Sequence, residues 1–305
     1  MSRKIACIIP SYNHADYIAE AIRSVIRQTL PAERLVIVDD GSQDRTVDII
    51  RDVKDPRIHF VEQENQGAHA ALTRGLELAK DCDFVSVLNS DDRYHLERFA
   101  RCVDHLDRNP HVELVCTRIR LINESGSPVG QLDGRQRRLN RIWSYLSKST
   151  DLVASLGYGN FTKTSSNFFF RSGAITEFLP YRYVHDYFAA LTVGFRGALG
   201  LIHQDLLDYR VHSTNTIKAD GRGAVIREVV LMHLQLLKEL QPRLESDALL
   251  RKRLLNYLRV ALNNYTDMRA ELLLLGIARS LNQDENPTAN LIDFPEVAEP
   301  SRPPP

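Results

Sequence analysis

The first 116 residues alternate short apolar runs with longer segments whose apolar residues recur at helical spacing. The apolar runs predict β-strands at residues 5–9, 35–38, 58–61, 84–88 and 112–116. The helical stripes predict helices at residues 15–28, 46–53, 70–80 and 96–107. Repeated β-α units of this length imply an α/β fold with a Rossmann-like, mostly parallel sheet flanked by helices.

The pattern changes after residue 220. Residues 225–240 and 248–281 carry helical stripes separated by Gln241-Pro242, and the remainder is proline-rich without periodicity. We therefore expect an α/β domain over residues 1–219, a helical appendage over 220–281 and a disordered tail over 282–305. The appendage either packs on the α/β domain or offers a homodimer seam or a membrane-resting face.

Polar residues follow the predicted strands at the point where each strand ends. The strand at 84–88 stops abruptly at Asn89, Ser90, Asp91 and Asp92. Because parallel strands end at one edge of a sheet, these clusters should surround one crevice. Alternatively, these polar residues serve only to form turns and to cap the helices that follow the strands. Adjacent acids repel each other unless a cation, a base or hydroxyl groups engage them, and their oxygens suit Mg²⁺ or Mn²⁺.

Composition narrows the class of protein. The formal net charge is zero, which argues against a nucleic-acid partner. Cysteines 7, 82, 102 and 116 lie far apart, as expected of reduced core residues in a cytosolic protein. No secretion signal or membrane-spanning run is visible, and neither a G-x-G-x-x-G nor a P-loop motif follows the first strand. We therefore expect a cytoplasmic protein that does not bind a dinucleotide in the manner of Rossmann-fold enzymes.

Four ordered motifs resemble those of family 2 inverting glycosyltransferases, which have the GT-A fold. The motifs are I-I-P-S-Y-N at 8–13, V-D-D-G-S-Q-D-R-T at 38–46, N-Q-G-A-H-A-A-L-T-R-G-L at 65–76 and L-N-S-D-D at 88–92. The resemblance covers roughly residues 4–215. It implies a site for a nucleotide-diphosphate-sugar donor and a divalent ion.

The resemblance also implies roles for individual residues. Pro10, Ser11 and Tyr12 would line the base pocket, Asp39 would bond to the base with Asp40 nearby, and Asp91 would hold Mn²⁺ or Mg²⁺ on the diphosphate. The remaining residues assigned to the donor site are Asn13, Asn65, Gly67, Asn89, Ser90, Asp92 and Arg210. The chain departs from the common pattern at Asn89, which replaces the first Asp of D-x-D, and at Thr73, which replaces a frequent Asn.

A second informative stretch is V-H-D-Y-F at residues 184–188. Inverting transfer needs a base that takes the proton from the acceptor hydroxyl, and Asp186 matches the acid that performs this role in the family. His185 replaces the preceding acid of the family pattern. Alternatively, Asp186 is a negative charge that stabilises a helix N-terminus; the two roles are compatible.

The stretch Y-R-V-H-S-T-N at 209–215 resembles a further family motif, Y-R-x-H-x-x-N. By this resemblance His212 reaches the metal or the diphosphate, with Arg210 and Asn215 in support. A lone histidine after a strand is otherwise more often structural.

The middle segment, residues 117–160, has little periodicity and contains arginines at 135, 137, 138 and 141 next to Trp143. The plain interpretation is a solvated loop leading into a helix. The alternative is an acceptor-side or membrane-surface patch for anionic groups. A strand at 168–170 is expected to shape the sugar pocket, as in family members.

Taken together, the sequence predicts an inverting, metal-dependent transferase. It would move a sugar, by default from a UDP-sugar, to a saccharide or lipid-linked acceptor at the inner face of the membrane. TDP- and GDP-sugars remain alternative donors. A non-catalytic nucleotide-sugar-binding or scaffold protein is the rival function, motivated by Asn89 and His185. A nucleotidyltransferase is disfavoured because residues 10–13 lack a Gly-rich, basic loop.

Overall fold

The computed structural model describes residues 3–130, 133–149, 151–158, 160–213 and 221–264. Eight strands in this part of the chain form one sheet in the order β3-β2-β1-β4-β7-β6-β8-β5. Their bounds are β1 Ile5–Ser11, β2 Arg34–Asp39, β3 Ile58–Glu62, β4 Phe84–Val87, β5 Arg93–Tyr94, β6 Leu114–Ile122, β7 Phe169–Arg171 and β8 Leu199–Arg210.

Helices cover the sheet. Those in the described residues are α1 Ile18–Ile26, α2 Thr46–Asp52, α3 Ala68–Leu78, α4 Arg98–Arg108, α5 Gly134–Leu146, α6 Leu152–Leu156, α7 His185–Arg196, α8 Gly221–Leu244 and α9 Ala248–Asn264, with a 3-10 helix at Ser165–Asn167. Every residue of β1 and of β4 is buried, as expected for central strands of a sheet covered on both faces.

The sheet is mostly parallel, which confirms the predicted α/β class. Strand β1 pairs in parallel with β2 and β4, and β2 pairs in parallel with β3. Strand β7 is antiparallel to both β4 and β6, whereas β6 and β8 are parallel. The carboxyl ends of β1, β2 and β4 therefore meet at one edge, where the polar clusters lie.

Two strands were missed by the sequence prediction, and one was cut short. Strand β8 was missed because its middle residues, 203–205, are polar and exposed and hide the apolar alternation. Strand β5 has only two residues. Strand β6 continues to Ile122 beyond the predicted end at Cys116, and the segment 117–160 also contains α5 and α6 rather than one loop and one helix.

The C-terminal helices also differ from the prediction. Helix α8 begins at Gly221, before the predicted stripe at 225–240, and continues past Pro242, the predicted separator, to Leu244. Pro242 lies two residues before the end of the helix, so its missing N–H removes a hydrogen bond from the last turn only, and Leu240 and Leu244 pack into the core around it. The predicted boundary at residue 219, the continuation of the last helix over 265–281 and the tail at 282–305 lie outside the described residues.

Helices α8 and α9 share one hydrophobic cluster with the sheet. Met232 and Leu236 of α8 and Leu254 and Tyr257 of α9 are buried members of this cluster. Both helices pack on α7, and α9 also packs on α6. Among the described residues, no helix combines the length and apolar character that crossing a bilayer requires. The helices thus contribute directly to the core that supports the site.

Candidate active site

The first wall of the crevice is formed by the ends of β1 and β2. The parallel register places Ser11 beside Asp39. Ser11 Oγ donates to Asp39 Oδ2 at 2.5 Å, and Ser42 donates from its hydroxyl and its backbone N–H at 2.7 and 2.8 Å. Pro10 is buried at the end of β1, whereas the Tyr12 side chain next to it is 44% exposed. A fixed carboxylate therefore lies beside an accessible aromatic ring.

Asp40 organises the loop that follows β3. Its carboxylate accepts hydrogen bonds from Gln63 Nε2, Gln66 N and Gly67 N at 2.8, 2.9 and 2.8 Å. Gly67 has φ +91°, which L side chains rarely adopt, and α3 starts immediately after it. Asn65 lies exposed on this loop. The role of Asp40 in the structure is thus to hold the loop that carries Asn65 and Gly67.

Asn13 fixes the turn after β1 against the turn after β2. Its backbone N–H donates to Ser42 Oγ at 2.9 Å, and its side-chain oxygen accepts from Gln43 N at 2.8 Å. Asn13 has φ 52°, a left-handed conformation that asparagine tolerates better than most residues. The turn directs the next residue, His14, towards the end of β4.

The turn after β4 is tied to the segment around the 3-10 helix. Asn89 uses both side-chain atoms there, donating to Thr164 Oγ1 and accepting from Ser165 Oγ, each at 2.9 Å. Ser166 Oγ accepts from Asn89 N at 2.9 Å and donates to Asp92 Oδ2 at 2.6 Å. The asparagine that replaces the first acid of D-x-D thereby fastens the turn to residues 164–166.

Asp91 lies between two histidines. Its Oδ2 is 2.9 Å from His212 Nε2, and the ligand atoms of His14, Asp91 and His212 all lie within 4.8 Å of one another. His14 Nδ1 is 2.7 Å from Ser90 Oγ, and its ring packs edge-on against that of His212. Two imidazole nitrogens and one carboxylate oxygen fit a divalent first-row ion and leave positions free for phosphate or water.

The two adjacent acids have different environments. Burial raises the pKa of Asp91, but the hydrogen bond to His212 and the charges of His14 and His212 outweigh it and hold that pKa below its ordinary value. Burial and the charge of Asp91 raise the pKa of Asp92 well above its ordinary value. Asp92 also accepts from Arg210 N at 2.9 Å. The negative charge of the pair is therefore concentrated on Asp91.

Arg210 is buried next to the turn that carries Asp91 and holds its backbone. It is 1% exposed, and its guanidinium donates to the backbone oxygens of Asp91 and Glu124 at 2.8 and 2.9 Å and to the carboxylate of Glu20. It also stacks over the ring of Tyr17. The structure thus gives its guanidinium several protein partners beneath the Asp91 turn. Asn215, its predicted companion, lies outside the described residues.

Asp186 lies in the first turn of α7 and is 6% exposed. Its carboxylate accepts from Tyr187 N at 2.7 Å and from Asn160 Nδ2 at 3.2 Å. Burial raises its pKa above the ordinary value, although the charge of the neighbouring His185 opposes the shift. The predicted position at a helix start is therefore present at this residue.

The charges of both groups of acids act on Tyr209. Burial raises the pKa of its phenol, and the charges of Asp92, Asp91 and Asp186 raise it further. All three carboxylates are thus close enough to act on one side chain. The acids gather around a common region although they are far apart in the sequence.

Two residues of this region were not predicted. His14 follows the P-S-Y-N motif directly, and its position at the carboxyl end of the first strand was the available signal. Asn160 lies in the poorly periodic middle segment and carried no signal.

Trp143, predicted to border an exposed basic patch, is instead buried and packs against Phe161. The exposed aromatic residues near this basic segment are Tyr145 and Tyr158, whose ring centroids are 4.7 Å apart.

The chain belongs to glycosyl transferase family 2, whose family model matches residues 6–179. It is 30% identical over 222 residues to an uncharacterized glycosyltransferase of Rickettsia typhi, covering 70% of this chain and 65% of that protein. It is 37% identical over 105 residues to TuaG of Bacillus subtilis, a provisionally assigned teichuronic acid biosynthesis glycosyltransferase, covering 33% of this chain and 41% of TuaG. The chain therefore spans less than two thirds of either relative.

A solved structure shows the same fold. S. aureus TarS 1-349, in complex with UDP-GlcNAc, superposes with a TM-score of 0.59 at 16% identity, covering 92% of this chain and 88% of that chain. At this identity the likeness concerns the fold alone. Together with the family match it confirms the predicted GT-A architecture and the predicted family.

Proposed function

We propose that this chain transfers a sugar, with inversion, from a UDP-sugar to a saccharide or lipid-linked acceptor, with Asp186 as the base. The observations that carry the proposal are the cluster of Asp91 with His14 and His212 and the buried acid Asp186 in the first turn of α7, in a chain of this family. One acid pair and one separate acid on a helix start are what donor activation and acceptor deprotonation require.

Ser11, Tyr12 and Asp39 are proposed to bind the uracil. A carboxylate offers about four acceptor positions, and the donors from Ser11 and Ser42 use three of those of Asp39. One position remains for an N–H of the base. The exposed ring of Tyr12 supplies a stacking surface beside it. TarS, of the same fold, has been solved with UDP and with UDP-GlcNAc.

His14, Asp91 and His212 are proposed to hold the divalent ion, and Mn²⁺ suits this set better than Mg²⁺. Two of the three donors are imidazole nitrogens, which Mg²⁺ accepts less readily than a first-row transition ion does. When bound, the ion supplies charge neutralisation for the departing diphosphate. Asn89 and Asp92 keep the Asp91 turn in place through Ser166.

A thermal-shift measurement tests the donor and the metal together. We expect UDP with Mn²⁺, at roughly 100 times its Kd, to raise Tm by about 5 °C or more. UDP with Mg²⁺ and GDP with Mn²⁺ should give smaller shifts. An equal or larger shift with GDP would contradict the uracil assignment. Turnover of UDP-sugars, measured as released UDP, separates an enzyme from a non-catalytic binding protein of the same fold.

On the acceptor side, Lys163 and Arg138 are proposed to bind an anionic group of the acceptor. Burial and the charge of Arg138 lower the pKa of Lys163, whereas the charge of Asp186 raises it, so both charges act on the Lys163 ammonium. The exposed pair Tyr145 and Tyr158 offers an aromatic surface in the same part of the chain. Such a set favours acceptors with phosphate or carboxylate groups, in envelope polysaccharide assembly at the inner face of the membrane.

Lys163→Met is expected to raise the KM for an anionic acceptor by roughly tenfold, since one charge-assisted hydrogen bond is lost. The KM for a neutral acceptor and for the donor should not change. Steady-state kinetics with oligomeric glycerol phosphate and with a neutral disaccharide provide the comparison. Lys148→Met, at an exposed lysine after α5, is the matched control. Equal effects on both acceptors would contradict a charge-based role.

A further inference from the structure

Helix α8 contacts the loop that leads into Asp186. Glu228 Oε1 accepts a hydrogen bond from Arg182 N, and Oε2 accepts one from Tyr183 N, both at 2.7 Å. Helix α7 begins at His185, and its N-cap residue, Val184, has no side-chain acceptor for the first turn. One carboxylate from a different helix thus holds two successive amides of the segment that enters α7.

A second connection reaches the residue after Asp186. Tyr187 Oη donates to Leu156 O at 2.7 Å and lies 3.2 Å from Tyr257 Oη of α9. Tyr257 Oη is in turn 2.5 Å from His233 Nε2 of α8. Tyr187, His233 and Tyr257 are each at most 3% exposed. Both C-terminal helices therefore contact the first turn of α7 through buried polar groups.

The protonation of this buried group is well defined. His233 Nδ1 lies 2.6 Å from Val229 O, which only accepts, so Nδ1 carries the hydrogen and Nε2 accepts from Tyr257. Burial lowers the pKa of His233 to about 4. The histidine is consequently neutral at physiological pH. The hydroxyl protons of Tyr187 and Tyr257 are used by Leu156 O and His233 Nε2, so the two hydroxyls meet as a close, uncharged polar contact between α7 and α9.

Glu228 also lies near the loop held by Asp40. Burial lowers the pKa of His69, and the charge of His185 lowers that pKa further. The charges of Asp40 and Glu228 act in the opposite direction and raise it. His69 is in the first turn of α3, next to Gly67. The charge of Glu228 therefore acts on the first turn of α3 as well as on the segment that enters α7.

We infer that Glu228 is a positioning residue for Asp186, and that helices α8 and α9 are part of the catalytic apparatus rather than an appendage to it. The inference rests on the proposed role of Asp186 as the base. The two bonds from Glu228 fix the start of α7, and the Tyr187–Tyr257–His233 contacts fix its first turn. Displacement of a catalytic group by about 1 Å reduces a rate by as much as ~100-fold, so such restraints affect turnover directly.

Glu228→Gln tests the inference, because an amide keeps one acceptor oxygen and turns an NH₂ group towards the other backbone N–H. We expect kcat to fall roughly tenfold while the KM for the donor and the Kd for UDP stay unchanged. Amide hydrogen exchange in the segment 181–188 should become faster. Glu245→Gln, at an exposed glutamate directly after the same helix, is the matched control.

Wild-type kcat in Glu228→Gln, or exchange at 181–188 unchanged from wild type, would overturn the inference. Tyr257→Phe, which keeps the ring and removes the hydroxyl, provides a second test if Glu228→Gln folds poorly. It should lower kcat without altering UDP binding, and wild-type kcat in a folded Tyr257→Phe would count against the inference. Hydrogen exchange separates the role of Glu228 as a restraint from the role of Asp186 as the base. If exchange at 181–188 is faster in Glu228→Gln while Asp186→Asn keeps full activity, the base assignment has failed and the restraint has not.

Discussion

Asp186→Asn is expected to lower kcat for sugar transfer by about 10³-fold, within the range that general bases contribute. The amide cannot take a proton from the acceptor hydroxyl, yet it can still accept the hydrogen bond from Tyr187 N. The fold and the donor site should therefore persist, and UDP should bind as it does to the wild type. Stopped-time assays of glycosylated product, with UDP titration calorimetry on the same variant, measure both quantities.

The pH profile gives an independent reading of the same residue. Since burial raises the pKa of Asp186, the acid limb of kcat/KM should lie above the ordinary carboxyl value, with activity lost as pH falls through that pKa. The groups that act on Asp186 or share its surroundings include His185 and Lys163. Asp104→Asn, at an exposed acid on α4, is the matched control. Undiminished transfer by Asp186→Asn would remove this residue from the mechanism.

Asp91→Asn is expected to weaken Mn²⁺ binding by at least roughly 100-fold. Loss of a residue that only hydrogen-bonds to a metal ligand already lowers metal affinity by about 10- to 100-fold, and Asp91 is proposed to be a ligand itself. Transfer should fall by roughly 10²- to 10³-fold, the equivalent of several kcal/mol of charge stabilisation. Electron paramagnetic resonance of free Mn²⁺ measures the affinity without reliance on activity. Product formation at saturating Mn²⁺ measures the rate.

Asp92→Asn provides a control one residue away with the same chemical change. Both carboxylate oxygens of Asp92 already accept hydrogen bonds from the protein, from Arg210 N and Ser166 Oγ. We therefore expect Asp92→Asn to lose much less Mn²⁺ affinity than Asp91→Asn. If the two variants lost affinity equally, both acids would be ligands, and the set of His14, Asp91 and His212 would be wrong.

The sequence was sufficient for the first half of the fold because local patterns and tertiary structure agree there. Strands β1, β2 and β4 are mostly apolar and almost entirely buried, since central parallel strands are covered on both faces, whereas β3 lies at the edge of the sheet and is only partly buried. Each of the four is followed by its polar cluster. The edge at which Asp39 and Asp91 lie follows from the parallel order. These features require no knowledge of distant contacts.

The second half depends on contacts between residues far apart in the chain. Strand β8 is stabilised by pairing with β6 across an irregular register, and its exposed middle has no apolar alternation. The partnership of His14 with His212 joins two residues that are far apart in the sequence. Glu228 accepts from backbone N–H groups, which every residue type except proline provides, so the sequence does not identify its partners.

Strand β8 and the two residues after it position Tyr209, Arg210 and His212. The face on which each side chain lies depends on its place in the alternating pleat of the strand. Side chains alternate between the two faces of a strand, so one additional residue between Leu207 and Arg210 would invert every side chain beyond it. His212 would then turn away from Asp91, and the backbone N–H now bonded to Asp92 would belong to a different residue. An insertion of that kind would silence the protein while leaving all its signature motifs intact, so gaps in this strand are as informative as substitutions when relatives are compared.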